Sequence, residues 1–380
     1  MTYGELEQAV CSLASYLAQR ARPGAKVLLL YPSGIDVVSA FWACVYAGLV
    51  PVPAPPPDPV RRKHSLPRLH AIIEDAQASM VLTTSGIKAI SSDLSISKDG
   101  SQVLWLATDQ PFELDRTVDS PQPSEISLAY LQYTSGSTET PRGVMISHQN
   151  IMAQCEALHR VAGVDANSRS LCWLPYFHDY GLVHGLIAPF YSGIPAYLMS
   201  PLTFLRHPLW WLEAIDRFGI THSGAPNFAY ESCIKALRQQ KDWAAHLQRW
   251  VVASCGAEPI HAETINEFTE AFHVHGFARQ TFSPAYGLAE STLVVTTKRL
   301  GEVPLILPVA DVALEAHRVL QVSSDAEGAR RLVGCGPPLP GTTVRIVDPV
   351  TLAGCAADQI GEIWIAGPCV SQGDWNREAD

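Results

Sequence analysis

Over the first 270 residues, short apolar runs alternate with helix-like segments, and this alternation leaves few folds open. Lys26–Tyr31 reads as a buried strand, and Asp36–Ala47 as the helix that follows it. Leu49–Pro53 is a short extended segment, Pro67–Ser79 is helix-like, and Val81–Thr84 and Val103–Ala107 read as further strands. Leu128–Tyr133 leads into a loop, with a helix expected from about His148 to His159. Leu171–Leu174, Ala196–Met199, Thr221–Ser223 and Trp250–Ser254 are strand-like, with helices expected at Pro208–Phe218, Asn227–Leu237 and Ala262–Phe272. Strands separated by helical crossovers pair in parallel, so the expected class is α/β with mainly parallel strands. After about residue 330 the character changes. Thr342–Val347 and Gly361–Ile365 are β-rich with turn residues between them, which predicts a small β-subdomain. The expected division is a first α/β subdomain over 1–185, a second over 186–330 and a β-rich subdomain over 331–380.

Composition narrows the function classes. The chain has 27 Lys+Arg against 37 Asp+Glu, a formal charge of −10, which argues against general nucleic-acid binding because that needs a basic face. Charged residues are only 17% and hydrophobic residues 47%, so a large core is expected. The nine cysteines are scattered without C-x-x-C spacing, which suits buried free thiols in a reducing compartment. Two charge-free stretches do not read as membrane spans. Val37–Pro57 ends in five prolines between Pro51 and Pro57, and His184–Leu205 is interrupted by Pro189, Pro195 and Pro201. Glu5 and Glu7 precede the first apolar run, unlike a signal peptide, so a cytoplasmic protein is expected. Both ends look cut, since a helix-like segment starts at Tyr3 and Gly373–Asp380 supplies no closing element; a fragment is expected.

Four segments carry candidate chemistry. In Tyr133–Gly143, Thr134, Ser135, Ser137 and Thr138 offer hydroxyl donors for phosphate oxygens, and Gly136 lets the backbone approach. Arg142 adds a fixed positive charge and Gly143 permits tight packing. The spacing is not that of a G-x-x-x-x-G-K-[ST] loop. In Trp173–Leu182, His178 and Asp179 fall in a loop after a strand, where α/β proteins bind ligands. His178 can face a developing phosphoryl or carboxylate charge, or donate its ring proton to Asp179. Gly256 and Ala257 leave room for a planar base, while Glu258 is either a ribose or adenine partner or an acidic residue before the next helix. In the stretch from Ser283 to Glu290, Tyr286 can stack on a base, and Glu290 offers a hard oxygen to magnesium.

Together these segments resemble the adenylate-forming superfamily over essentially the whole chain. Tyr133–Gly143 is similar to its phosphate signature, Ser283–Glu290 to its Tyr-Gly-Leu-Ala-Glu motif, and Gly361–Gly367 to the motif of its small β-subdomain. Within it, Leu131–Thr138, Trp173–Asp179, Leu198–Pro201 with Phe204, Ala225–Tyr230 and Val347–Pro349 resemble the fatty acyl-AMP ligases. The interval 296–331 resembles the insertion of that subgroup. The resemblance implies a large N-terminal domain of stacked αβ subdomains with a small β-rich subdomain.

By the same resemblance, Thr134, Ser135, Ser137 and Thr138 would grip ATP phosphates, with Gly136 and Arg142 beside them; Arg142 stands where many members have lysine. His178 would face the reacting carboxylate or α-phosphate. Gly256, Ala257 and Glu258 would line the adenine site with Ser283, Tyr286 and Gly287. Glu290, and Thr138 with it, would hold Mg2+. Phe204, Asn227, Phe228 and Tyr230 would line an acyl channel. The implied reaction is ATP-dependent conversion of a fatty acid to an acyl-adenylate, followed by transfer to an acyl-carrier protein or carrier domain, in polyketide or lipopeptide biosynthesis. A lid domain with a catalytic lysine, expected after the β-subdomain, is absent from the chain, so weak or no turnover is expected. A fatty acyl-CoA ligase, an amino-acid adenylation domain and a non-catalytic nucleotide- or acyl-binding module are the alternatives.

Overall fold

The computed structural model describes residues 1–57, 62–90, 103–111, 127–134, 141–240 and 242–377, with residues 62–64 described by backbone alone. The chain divides into two compact units: Met1–Met152, Pro175–Leu182 and Ser371–Asp380 make the first, and Ala153–Leu174 with Val183–Val370 the second.

The first unit opens with α1 (Tyr3–Ala18). The Thr2 hydroxyl accepts from the Glu5 N–H at 3.2 Å, and the Glu5 carboxylate accepts from the Thr2 N–H at 2.6 Å, a reciprocal cap for the helix start. Next come β1 (Lys26–Leu30), α2 (Ile35–Tyr46), β2 (Val50–Pro53), α3 (Arg62–Asp75), β3 (Met80–Thr83), α4 (Ser85–Ala89) and β4 (Leu104–Ala107). The strands lie in the order β2–β1–β3–β4, all parallel, with Val27 opposite both Pro51 and Met80. Leu28, Leu30, Val52 and Val81 from the sheet meet Leu69, Ile72 and Ile73 of α3 in one buried core. The helix expected over Pro67–Ser79 therefore begins earlier and ends earlier, with Pro67 in its second turn. The proline removes one backbone donor, and burial of the three apolar α3 side chains offsets that loss.

β5 (Leu128–Thr134) and β6 (Arg142–Ser147) form an antiparallel pair. This departs from the loop expected to run from residue 133 to the next helix. Arg142 and Gly143 stand in a strand, not in a loop running straight to the helix. Val144 and Ile146 are β-branched and fully buried, which favours the extended chain. Residues 371–377 then return to this unit. Gln372 N–H donates to the Met145 carbonyl at 3.1 Å, Met145 N–H to Gly373 at 2.9 Å, and Trp375 N–H to Gly143 at 2.8 Å. The stretch read as lacking a closing element thus lies antiparallel along β6, with Val144 opposite Asp374.

After β6 comes α5 (His148–Val161), which crosses from the first unit into the second. The second unit continues with β7 (Ser170–Cys172), α6 (Ala188–Ser192), β8 (Ala196–Leu198), α7 (Pro201–Arg206) and α8 (Leu209–Phe218). β9 (His222–Ala225), α9 (Asn227–Gln239), β10 (Val252–Cys255), α10 (Ala262–His273), β11 (Phe282–Gly287) and β12 (Val294–Thr297) complete its sheet and helices. The sheet order is β12–β11–β10–β9–β7–β8, parallel except for the antiparallel edge strand β12. Trp211, Tyr230, Trp250, Phe268 and Phe282 are fully buried or nearly so and pack ring against ring, Tyr230 lying 4.7 Å from Phe282 and 6.4 Å from Trp250. β13 (Ile306–Ala310) and β14 (Ala329–Val333) form an antiparallel hairpin around α11 (Asp311–Glu315), covering much of the 296–331 interval. β15 (Thr343–Val347) and β16 (Glu362–Ala366) form another, which makes the late part of the chain β-rich, as expected. Among the described residues, no helix is long and apolar enough to cross a membrane.

Candidate active site

In the first unit the turn that carries His178 is anchored by the residues just before it. Tyr176 is buried, and its hydroxyl accepts from the Tyr31 N–H at 2.8 Å. That hydroxyl also faces the carbonyl oxygens of Tyr31 and Ala54, both at 3.0 Å, and of Leu29 at 3.3 Å, where β1 and β2 end. Gln132 on β5 donates its side-chain N–H to the Phe177 carbonyl at 2.8 Å. His178 itself stays half exposed, with Nδ1 2.5 Å from Oδ1 of buried Asp179. The Tyr180 N–H donates to the same carboxylate at 2.6 Å. The Asp179 hydrogen bond holds the imidazole above its usual range, against the opposing pull of burial. His178 is thus a surface cation at neutral pH more readily than a free histidine.

The hairpin supplies the second set of groups. Thr134 ends β5, with its carbonyl 3.4 Å from an Arg68 guanidinium nitrogen, and is paired in register with Arg142. Arg142 is partly exposed, 3.7 Å from Asp374. A Cβ on Gly143 would fall 2.9 Å from the Tyr133 ring. Tyr133 is fixed in turn by donating to Asp75 at 2.6 Å, and burial together with that carboxylate pushes its phenol upward. Ser135, Gly136, Ser137 and Thr138 lie outside the described residues.

In the second unit two motif segments meet. β10 and β11 pair in parallel, Cys255 opposite Pro284, so Gly256 lies against Ala285. A Cβ on Gly256 would come 2.9 Å from the Ala285 carbonyl oxygen. Ala257 is exposed with φ at +67°, a left-handed conformation rare for alanine. Ser283 is buried on β11, with Oγ 3.3 Å from the Thr297 hydroxyl. Tyr286 is half-buried. A Cβ on Gly287 would sit 1.8 Å from the Leu293 carbonyl oxygen. Glu290 is exposed on the single turn Ala289–Ser291. Among the described residues no cluster of three His, Cys, Asp or Glu side chains is placed to hold a metal. One exposed carboxylate fits a cation that takes its other ligands from water and substrate phosphates, as magnesium does.

The candidates for an apolar wall separate into buried and surface groups. Phe204 is fully buried and stacks on Trp173, centroids 3.8 Å apart. Tyr230 is fully buried and donates to the Ser254 carbonyl at 2.7 Å. Asn227 is buried and ties α9 to α10: it donates to Glu231 at 2.9 Å and Thr264 at 3.1 Å, and accepts from the His261 N–H at 3.1 Å. Of these four only Phe228 is exposed, 39%, with its ring 6.2 Å from Trp173 and 6.4 Å from Phe204. Its N–H donates to Glu258 at 2.6 Å. Glu258 therefore caps the helix before it, α9, rather than only preceding the next one. The nine cysteines are free thiols, six of them buried and Cys11, Cys335 and Cys355 only partly so, and burial raises the thiols of Cys155 and Cys172 to about 12.

Three anchoring residues were not singled out from sequence: Tyr176, Gln132 and Asp75. Gln132 left a usable signal, a polar side chain inside an otherwise apolar strand. Tyr176 left a weaker one, two residues before the His-Asp pair.

The family described as AMP-binding enzyme matches residues 1–375. A medium-chain fatty acid–acyl-carrier-protein ligase, JamA of Moorena producens (strain JHB), is 44% identical over 99% of this chain and 64% of its own length. A long-chain fatty acid–AMP ligase, FadD26 of Mycobacterium marinum, is 33% identical over 99% of this chain and 65% of its own. The crystal structure of a fatty acyl-adenylate ligase from L. pneumophila, in complex with acyl adenylate and pyrophosphate, superposes with a TM-score of 0.92. It is 36% identical, over all of this chain and 65% of that one. The chain thus spans slightly under two thirds of the relatives it matches.

Proposed function

We propose, from the premise that the chain belongs to the AMP-binding enzyme family, that it carries the nucleotide- and acyl-binding portion of a fatty acyl-AMP ligase. The observation that carries the proposal is the family match across residues 1–375. Fatty-acid ligases among the relatives, at 44% and 33% identity, support the choice of an acyl substrate. In the reaction a fatty carboxylate oxygen attacks the α-phosphorus of ATP, the bond to the bridging oxygen breaks, and pyrophosphate leaves from the acyl-adenylate. No proton is consumed at the reacting atoms. The chemistry therefore rests on positioning two anions and compensating moving negative charge.

The hydroxyls of Thr134, Ser135, Ser137 and Thr138 donate to the phosphates, Gly136 gives them backbone access, and Arg142 adds charge. His178, its imidazole shifted upward by the Asp179 hydrogen bond, faces the charge that the carboxylate brings to the α-phosphate. Gly256 and Ala257 offer a flat backbone surface to adenine, with Tyr286 beside it, Ser283 bracing β11 and Gly287 keeping the strand end thin. Magnesium, when bound by Glu290 and, as a further ligand, Thr138, supplies charge neutralisation to the phosphates. Phe228 is the exposed aromatic against which an acyl chain packs, backed by Phe204, Tyr230 and Asn227. The acceptor proposed for the acyl group is the thiol of an acyl-carrier protein, the partner class named for JamA.

The test, on a protein extended to the full length of the relatives, is fatty-acid-dependent exchange of labelled pyrophosphate into ATP across chain lengths, with mass detection of acyl-adenylate. Exchange without acyl-adenylate, or ATP binding with no effect of any fatty acid, overturns the reading. Where acyl-adenylate forms, addition of either holo-carrier protein or CoA separates a carrier-directed ligase from a CoA ligase.

A further inference from the structure

Glu258 lies in a turn that the proposed function gives to adenine, yet its observed bond points elsewhere. Oε1 accepts from the Phe228 N–H at 2.6 Å, thirty residues away in sequence. Phe228 is the second residue of α9, whose first N–H groups have no partner inside the helix. The residue at the cap position is Pro226, which has no side-chain acceptor, and no side-chain cap hydrogen bond forms there. A carboxylate supplied from another loop fills the gap, and its charge also suits the positive end of a helix of 13 residues.

The turn that delivers Glu258 is itself held tightly. Gly256 has backbone against its Cα, with the Ala285 oxygen 2.9 Å from where a Cβ would be, and Ala257 is in the left-handed region. Three residues later, the His261 N–H donates to Asn227, the first residue of α9. Two hydrogen bonds therefore lash the start of α9 to the 256–261 loop. What they hold in place is the Phe228 ring, half exposed against buried Phe204 and Trp173.

We infer that Glu258 is a positioning residue for the acyl side of the site, acting through Phe228, and not a ribose or adenine partner. The inference rests on the proposed function and reassigns one residue within it. Through Glu258, the loop beside the base and the aromatic wall for the chain become one mechanical piece.

The experiment titrates ATP and, separately, saturated carboxylates of eight to sixteen carbons into the unsubstituted chain and into Glu258→Ala and Glu258→Gln. Amide exchange of residues 227–231 is followed in parallel. Glu258→Ala is expected to weaken carboxylate binding about fivefold, the size of a lost helix cap. It should also flatten the preference among chain lengths, speed exchange at the start of α9, and leave ATP affinity within about twofold. Glu258→Gln keeps an acceptor oxygen and is expected to restore exchange and carboxylate binding. If the alanine variant does not fold, Glu258→Asp, which withdraws the acceptor by one carbon, is expected to reproduce its pattern. Weakened ATP binding with unchanged carboxylate binding overturns the inference, as does unchanged exchange at residues 227–231. Failure of the unsubstituted chain to bind ATP or any of the carboxylates overturns the functional reading, and this assignment with it.

Discussion

The His178 turn of the first unit and the Gly256 and Gly287 segments of the second are held by opposite means. Around His178 the anchors are polar side chains: the Tyr176 hydroxyl lies among four backbone groups, and Gln132 grips the Phe177 carbonyl. Around Gly256 and Gly287 the anchor is a missing side chain, which lets backbone pack on backbone where a single methyl would collide. One histidine from each unit differs as well. His178 is shifted upward by a neighbouring carboxylate, whereas burial lowers His184 in the second unit to about 4, with His222 adding to the depression. A hydrogen-bonded anchor loses a definite polar interaction when its donor is cut. A steric anchor tolerates no addition at all.

The largest effect is expected at Gly287. Gly287→Ala places a methyl 1.8 Å from the Leu293 oxygen and should destabilise the chain by roughly 3 kcal/mol or more in urea unfolding. Near-neutral stability in that variant would break the steric half of the comparison. Acidification comes next. His184 binds its proton more readily unfolded than folded, so stability is full above pH 6.5 and falls as pH drops toward 4, by at most roughly 3 kcal/mol from this group. Replacing it with Gln should flatten the acid limb of a melting-temperature profile; an unchanged limb would remove His184 from the account. Tyr176→Phe leaves the Tyr31 N–H without its acceptor and is expected to cost roughly 2 kcal/mol, read from the urea midpoint. The smallest effect is electrostatic. Asp179→Asn should lower the His178 titration midpoint, followed by NMR of its Cε1 proton, with little change in melting. The pairing of His178 with Asp179 stabilises below the unfolded imidazole value and fades as pH rises through the raised folded one. A midpoint that stays put would show that Asp179 does not hold the charge.

The parallel sheets were legible because each buried strand is a short local run and each crossover helix has its own apolar period. β6 was hidden because a run of turn-forming residue types precedes it in sequence and it begins with Arg-Gly, neither of which announces a strand. The motif residues His178, Gly256 and Glu290 were legible as short local patterns. Their anchors were not, because Tyr176 finds Tyr31 across 145 residues, Tyr133 finds Asp75 across 58, and Phe228 finds Glu258 across 30. Periodicity carries no record of such pairings. Glu258 shows the same limit from the other side: its chemistry was evident, but the group that would occupy its oxygen was not.

The strand-like stretch on β6 also orders events in time. Arg377 reaches the Pro141 carbonyl across 236 residues, and Trp375 closes on Gly143 from nearly as far. During synthesis the hairpin carrying Arg142 waits, with one edge unpaired, until the whole of the second unit has been made. An unpaired edge of that kind is where chains mispair and aggregate. Slow translation after residue 152 would therefore threaten the first unit more than the second.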